Sequence, residues 1–108
     1  MVGANLNGVW KDKQGGSITL TQSGDTIVGK VVGGGTHSAL RGTYNGHWCG
    51  THYDGPYQNE EGNVRGKGTS TLKICGPNEI EFAGYGEWRD LNGNVLGQQF
   101  GTIIFRRA

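Results

Sequence analysis

Hydrophobic and polar residues alternate along most of the chain, in short runs that are separated by Gly, Asn, Asp and Pro. The clearest run covers residues 17–22, where Ile18 and Leu20 alternate with polar residues. A period of two is the pattern of a β-strand with one buried face. The pattern predicts eight strands, at residues 6–13, 17–22, 26–32, 39–44, 47–54, 64–74, 79–88 and 100–107.

Turn signals predict how these strands connect. Asn45-Gly46 is the strongest hairpin signal in the chain and predicts a tight turn between the fourth and fifth strands. Residues 55–63 are predicted to form a longer polar loop. Short strands with short connections indicate an all-β fold, an antiparallel eight-stranded up-and-down (meander) β-barrel, since closure removes the exposed sheet edges. A two-sheet β-sandwich is the alternative.

Composition supports the all-β prediction and limits the chain to one domain. Glycine occupies 22 of the 108 positions, and average usage is only about 7%. The glycines are evenly spaced along the chain, and glycine destabilises the interior of a helix. A helix of ten or more residues is therefore not expected. Residues 1–108 are therefore predicted to form a single β-barrel domain.

Strand periodicity also predicts which side chains face the interior. In most predicted strands the inner positions carry glycines together with bulky aromatic residues. The aromatic residues assigned to the interior are Trp10, Tyr44, Trp48, Phe82 and Trp88. Such glycines either leave space for one small ligand or allow the aromatic rings to fill a packed barrel.

The fifth predicted strand introduces candidate chemistry. If Trp48 faces inward, then His52 and Asp54 do as well, and an imidazole lies beside a carboxylate on the inner face. Such a pair can act as a general acid and base. Alternatively, Asp54 belongs to the Asp-Gly-Pro turn and His52 lies in water at the barrel mouth. A bulge at Gly50 would exchange the inner and outer faces for the residues that follow it.

The two cysteines are predicted to be free thiols. Pairing the fifth and sixth strands around residues 58–59 offsets Cys49 from Cys75 by about seven residues, which is roughly 20 Å along a strand. A disulfide requires Cα atoms within about 7 Å. Metal binding is not expected, because His47 and Cys49 point away from His52 on a regular strand. No cofactor motif is present in the sequence.

Charge and hydropathy exclude several kinds of partner. The formal net charge is +1, and no basic cluster is larger than Arg106-Arg107, so nucleic acid is not an expected partner. No apolar run reaches membrane length, so a membrane is not expected either. Free thiols favour a cytoplasmic location. The alternative is secretion, with a signal peptide already removed.

The first strand resembles the calycins, the barrel proteins that include lipocalins and avidins. Gly8-Val9-Trp10 is similar to their Gly-x-Trp opening. The resemblance implies that Trp10 lies across one end of the barrel and that Arg106, on the last strand, packs over it. The sequence departs from avidins where their biotin site begins, with Asp12 in place of an asparagine and Gly16 in place of a serine.

These observations lead to a first hypothesis of small-molecule binding. The barrel would hold a small apolar or aromatic ligand against the five interior aromatic residues, with His52, Asp54 and Arg106 as polar anchors.

Two other functions compete with it. One is a small barrel enzyme of the isomerase, cyclase or lyase type that uses His52 and Asp54. The other is a lectin-like carbohydrate-binding module that uses Tyr53 and Tyr57 on the outer face. Homo-oligomer formation is also possible, through the outward residues Val9, Val28, Ile103 and Phe105.

Overall fold

The computed structural model describes residues 3–108 as a closed eight-stranded barrel in which every strand pairs antiparallel with its sequence neighbours. The strands are β1 (Gly8–Lys11), β2 (Ser17–Ser23), β3 (Thr26–Val32), β4 (Arg41–Trp48), β5 (Tyr53–Glu61), β6 (Val64–Gly76), β7 (Glu79–Arg89) and β8 (Val95–Arg107). A short 3-10 helix, Gly35–His37, lies between β3 and β4. The meander barrel predicted from the sequence is confirmed, and the sandwich alternative is wrong. Nowhere in residues 3–108 is there a helix long and apolar enough to cross a membrane.

The strands differ greatly in length, and this makes the barrel uneven. β1 has 4 residues and β8 has 13. β1 therefore pairs with β8 at only two positions, Trp10 with Arg107 and Lys11 with Arg106. Along residues 95–105, the edge of β8 that faces β1 therefore has no strand partner in the described part of the chain.

The antiparallel order gives the barrel two distinct ends. The end we call the closed end carries the turns at residues 24–25, 49–52 and 77–78, together with Leu6. The opposite end, which we call the open end, carries the connections at residues 12–16, 33–40, 62–63 and 90–94.

The hydrophobic core fills the closed half of the barrel. Its buried side chains come from nearly every strand, as the inward row of each strand dictates. They are Leu6, Trp10, Ile18, Leu20, Ile27, Tyr44, Tyr53, Tyr57, Leu72, Ile80 and Phe105. Edge-to-face packing joins the Phe82 ring to Tyr44 at 4.9 Å and to Phe105 at 6.5 Å between ring centroids.

The predicted hairpin at Asn45-Gly46 is wrong. β4 continues through both residues, which pair with Val28 and Ile27 of β3. A tight two-residue hairpin of this type needs positive φ at both central residues, and neither has it. The chain instead turns at residues 49–52, where Gly50 has a φ of +103°. The predicted polar loop at residues 55–63 is mostly strand β5.

Moving this turn changes which face the following residues occupy. Tyr53 and Tyr57 point inward and are 0% and 6% exposed, so their predicted place on the outer face is wrong. Asp54 points outward and is exposed. In β8 the inward row contains Phe105, which pairs with Ile80 and is 1% exposed. The outward assignment is therefore wrong for Phe105, and also for Ile103, which lies on the same row, pairs with Phe82 and lines a cavity in the open half of the barrel.

Both cysteines are free and exposed, which confirms the predicted thiols. The register assumed for that prediction is nevertheless wrong. Tyr53 pairs with Leu72, which centres the β5–β6 connection on residues 62–63 rather than 58–59. Cys49 consequently lies in the turn that precedes β5, at the closed end, and not within a strand.

Candidate functional site

A cavity of about 220 Å³ lies in the open half of the barrel, above the core. Its wall includes the segment of β8 that has no partner in β1, and Val31 and Leu40 contribute from the β3–β4 side. Phe82 and Phe105 form its floor against the core. The cavity wall is mainly apolar, as is usual for a site that binds a small organic molecule.

A few polar groups face this apolar space. Ser70 lines the cavity and is 2% exposed, yet its hydroxyl has no hydrogen-bond partner in the described chain. Tyr57 donates its hydroxyl hydrogen to Gln99 Oε1 at 2.8 Å, and both residues line the cavity, as does Asn59. Burial raises the pKa of the Tyr57 phenol, so this group remains a neutral donor at physiological pH. Buried polar side chains are usually hydrogen-bonded. Among the described residues, Ser70 Oγ and Arg89 Nε are buried without a partner, and of the two only Ser70 lines this cavity.

Glycines create this space by two different means. Some lie directly under aromatic rings: a Cβ at Gly66 would come within 2.8 Å of the Trp88 ring, and one at Gly46 within 2.7 Å of Tyr44. Gly101 is different, because a Cβ there would meet nothing within 4 Å although the residue lines the cavity. Some interior glycines therefore make room for aromatic rings, and others border open space, so both roles predicted from the sequence occur in this barrel.

The structure separates the predicted ligand-binding aromatic residues. Only Phe82 among them lines the cavity. Tyr44 is buried beneath it and donates its hydroxyl hydrogen to the Ser70 carbonyl at 3.1 Å. Trp48 packs on Tyr53 near the closed end, with ring centroids 5.2 Å apart. Trp88 is half-buried near the open end of β7, beside another shallow depression.

Trp10 lies at the closed end of the barrel, where it pairs with Arg107. Its indole is 0% exposed and donates to the Leu6 carbonyl at 2.9 Å. The guanidinium carbon of Arg107 lies 4.3 Å from the centre of the ring. The expected partner, Arg106, points outward and forms an ion pair with Glu79 at 2.9 Å. The predicted cation over Trp10 is real, but its assignment to Arg106 is wrong by one residue.

His52 and Asp54 lie outside the barrel. His52 belongs to the 49–52 turn, and its Nε2 is 3.6 Å from Asp54 Oδ2, with the Asp54 side chain 61% exposed. The expected inward placement of this pair is wrong, because the turn comes after Trp48 and reverses the inward row. Neither residue lines the cavity. The expectation that Cys49 and His52 point apart is wrong for the same reason, since both belong to one turn.

Sequence reasoning missed most of the polar groups at the cavity. Tyr57 and Asn59 fell in the segment assigned to a polar loop, and Gln99 fell just before the predicted last strand. Ser70 did leave a signal, because it is a polar residue on the inner row of β6, between Gly68 and Leu72.

Tyr44 gives the barrel a stability that depends on pH. Burial, reinforced by the charges of Asp54 and Cys49, raises the pKa of its phenol well above the ordinary value. The native state then holds a proton that the unfolded chain loses above about pH 10. Stability is therefore present below that pH and falls as pH rises beyond it.

We expect Tyr44→Phe to flatten this alkaline loss, measured by urea unfolding between about pH 8 and 12. At neutral pH the substitution should cost about 1 kcal/mol, the net contribution of one hydrogen bond. Tyr85→Phe, at a position that is 70% exposed, is the matched control and should leave the profile unchanged. If the free energy of unfolding fell equally with rising pH in wild type and in Tyr44→Phe, the alkaline loss would not come from the Tyr44 phenol.

Comparison with known proteins extends the fold description. The chain matches no protein-family model and no curated protein sequence. Among solved structures it is similar to apo shwanavidin, with a TM-score of 0.60 and 11% identity over 99% of this chain and 100% of that one. It is also similar to a biotin binding protein from chicken, with a TM-score of 0.58 and 13% identity over 96% of each chain. At this identity the likeness shows that the chain shares the eight-stranded barrel fold of these proteins and nothing finer.

Proposed function

We propose that this barrel is a binding protein for one small, largely apolar or aromatic molecule, which occupies the cavity in its open half. The observation that carries the proposal is the buried Ser70 hydroxyl, which faces the cavity without a partner. Leaving such a group unsatisfied costs about 1–3 kcal/mol. A ligand with one polar atom at this position would recover that free energy.

Cavity size limits the ligand class. A dry apolar cavity of about 150 Å³ accepts benzene, and pockets for drug-sized molecules start at about 300 Å³. The cavity here measures about 220 Å³. That volume favours a molecule with a single ring or two fused rings over a lipid or an oligosaccharide.

The polar groups indicate how such a molecule would be oriented. Its ring would pack on Phe82, and a donor or acceptor on the ring would meet Ser70. Gln99 Oε1 is already occupied by the Tyr57 hydroxyl, which leaves the Gln99 amide NH₂ as a donor to the ligand. A ring with a carbonyl or ring nitrogen fits this set.

The structural neighbours support a container role, since the chicken protein is named for binding biotin. Biotin is therefore one test ligand for this chain. Near the open end, Asp12 Oδ1 accepts hydrogen bonds from the backbone amides of Gln14 and Gly16, both at 2.8 Å. This carboxylate holds its own turn together, which favours ligands other than biotin.

The competing functions have less support. The His52–Asp54 pair faces solvent away from the cavity, so we assign it no acid–base role there. Tyr53 and Tyr57 are buried, which removes the aromatic surface that the carbohydrate-binding hypothesis required.

Native mass spectrometry of the purified protein tests the proposal. We expect either a co-purified small molecule or the uptake of one molecule per chain from a panel of single-ring and fused-ring heterocycles that includes biotin. Ser70→Ala should weaken binding of the best ligand about tenfold, equivalent to about 1.4 kcal/mol. Thr69→Ala, at the adjacent outward position, is the control.

A panel without a single binder, or equal affinity for wild type and Ser70→Ala, would count against the proposal. The same spectra count subunits, and so test homo-oligomer formation. Tyr85 and Phe100, which pair across the outer face at 70% and 82% exposure, are the side chains we expect at a subunit contact.

A further inference from the structure

We propose that the turn between β4 and β5 is a zinc-binding site, with Cys49 Sγ, His52 Nε2 and an Asp54 carboxylate oxygen as ligands. These three residues place their donor atoms within 4.8 Å of one another. The site lies at the closed end of the barrel and is independent of the cavity.

The backbone of the turn explains how the three side chains meet. Gly50, with a φ of +103°, lets the chain reverse within four residues. The Cys49 amide then donates to the His52 carbonyl at 2.9 Å and closes the turn. Cys49 approaches from the end of β4, and Asp54 approaches from the outer face of β5.

The distances fit a tetrahedral ion after a small adjustment. Zinc bonds of about 2.0–2.3 Å give ligand-to-ligand edges of about 3.3–3.6 Å. His52 Nε2 and Asp54 Oδ2 are already 3.6 Å apart. The remaining adjustment falls to the Cys49 thiol, which is exposed and is held by a single hydrogen bond to the His52 carbonyl at 3.2 Å.

Neighbouring hydroxyls orient two of the three ligands. Thr51 Oγ1 lies 2.8 Å from His52 Nδ1, which leaves Nε2 available to the metal. Thr71 Oγ1 donates to Asp54 Oδ1 at 3.0 Å, which leaves Oδ2 directed at the histidine. Hydrogen bonds of this kind to imidazole and carboxylate are typical of metal sites.

Loss of the thiol proton on metal binding would leave no buried group unpaired. Cys49 Sγ donates to the His52 carbonyl at 3.2 Å, but that carbonyl also accepts from the Cys49 amide. The turn therefore survives release of the thiol proton to solvent. A thiolate, an imidazole and a carboxylate are the donor set that zinc prefers, with water in the fourth position.

The test is a zinc titration of the reduced full chain in competition with a chromophoric chelator, followed by cobalt(II) absorption spectra. We expect one zinc ion per chain and a thiolate-to-cobalt charge-transfer band. Cys49→Ser and His52→Gln should each weaken zinc binding at least about 30-fold and remove or reduce that band. Thr71→Val should weaken it about tenfold through the carboxylate.

The chain offers matched controls for both ligand types. Cys75→Ser removes the other exposed thiol, and His37→Ala removes a histidine that pairs with Glu61 at 3.1 Å near the open end. Both should keep wild-type affinity. Wild-type affinity in Cys49→Ser, an equal loss in Cys75→Ser, or no saturable binding by the wild type would each overturn the site. Asp54→Asn supplies the same test if a turn variant fails to fold.

Discussion

Leucine in place of Gly101 is expected to weaken ligand binding at least about 30-fold, equivalent to about 2 kcal/mol, while the barrel stays folded. Gly101 pairs with Gly84 on the inner rows of β8 and β7 and lines the cavity. A Cβ at this position meets nothing within 4 Å. The leucine side chain would therefore start from open space and extend into the volume that we assign to the ligand.

The stability of Gly101→Leu distinguishes cavity filling from simple damage. Glycine within a strand costs roughly 0.5–1 kcal/mol in backbone entropy, and its φ here is not positive. The variant should therefore unfold in urea at the same concentration as the wild type or a higher one. A large loss of stability would mean that this part of the interior is not open.

Gly97→Leu is the matched control for this substitution. Gly97 lies on the same strand and the same row, and a Cβ there also meets nothing within 4 Å. It is not among the residues that line the cavity. Binding is measured by titration calorimetry with the best ligand from the panel. Undiminished binding in Gly101→Leu would show that the ligand occupies another site.

The number of strands was predictable because most of them alternate and end in a turn signal, but the fifth was predicted at residues 47–54 whereas β5 spans Tyr53–Glu61. Position within the barrel was less predictable, as Asn45-Gly46 shows. Local sequence favours a hairpin there, but pairing of both residues with β3 and packing of the Tyr44 ring over Gly46 stabilise a continuous strand. Tertiary contacts overrode a local preference, and the true turn depends on Gly50.

This single displaced turn explains most of the errors at the candidate site. It moved Tyr57 to the inner face and Asp54 to the outer face, and it brought Cys49 next to His52. Phe82 and Ser70 lie beyond it, on strands whose inner row was assigned correctly, and both line the cavity. Periodicity predicts which side chains of one strand share a face. Which side chains of neighbouring strands touch depends on the register between the strands.

Trp10→Ala is expected to lower the free energy of unfolding by about 3–5 kcal/mol, the usual cost of removing a buried tryptophan side chain. The indole is fully buried, and it hydrogen bonds to Leu6 and supports Arg107. The total free energy of unfolding of a native protein is only about 5–15 kcal/mol. Trp10→Ala should therefore unfold in urea at a midpoint far below that of the wild type. Trp10→Phe keeps most of the apolar contact, so its midpoint should lie between those of Trp10→Ala and the wild type.

Adjacent arginines test how Trp10 is held in place. Arg107 lies over the ring and also donates to the carbonyls of Asn5 at 2.8 Å and Pro77 at 3.3 Å, so Arg107→Ala should cost about 1–2 kcal/mol. Arg106→Ala loses only an exposed ion pair and should cost under about 0.5 kcal/mol. Combining Arg107→Ala with Trp10→Ala, which removes the ring itself, measures the coupling between cation and ring. Equal costs for the two arginines would mean that the closed end is stabilised by the tryptophan's burial and not by the cation above it.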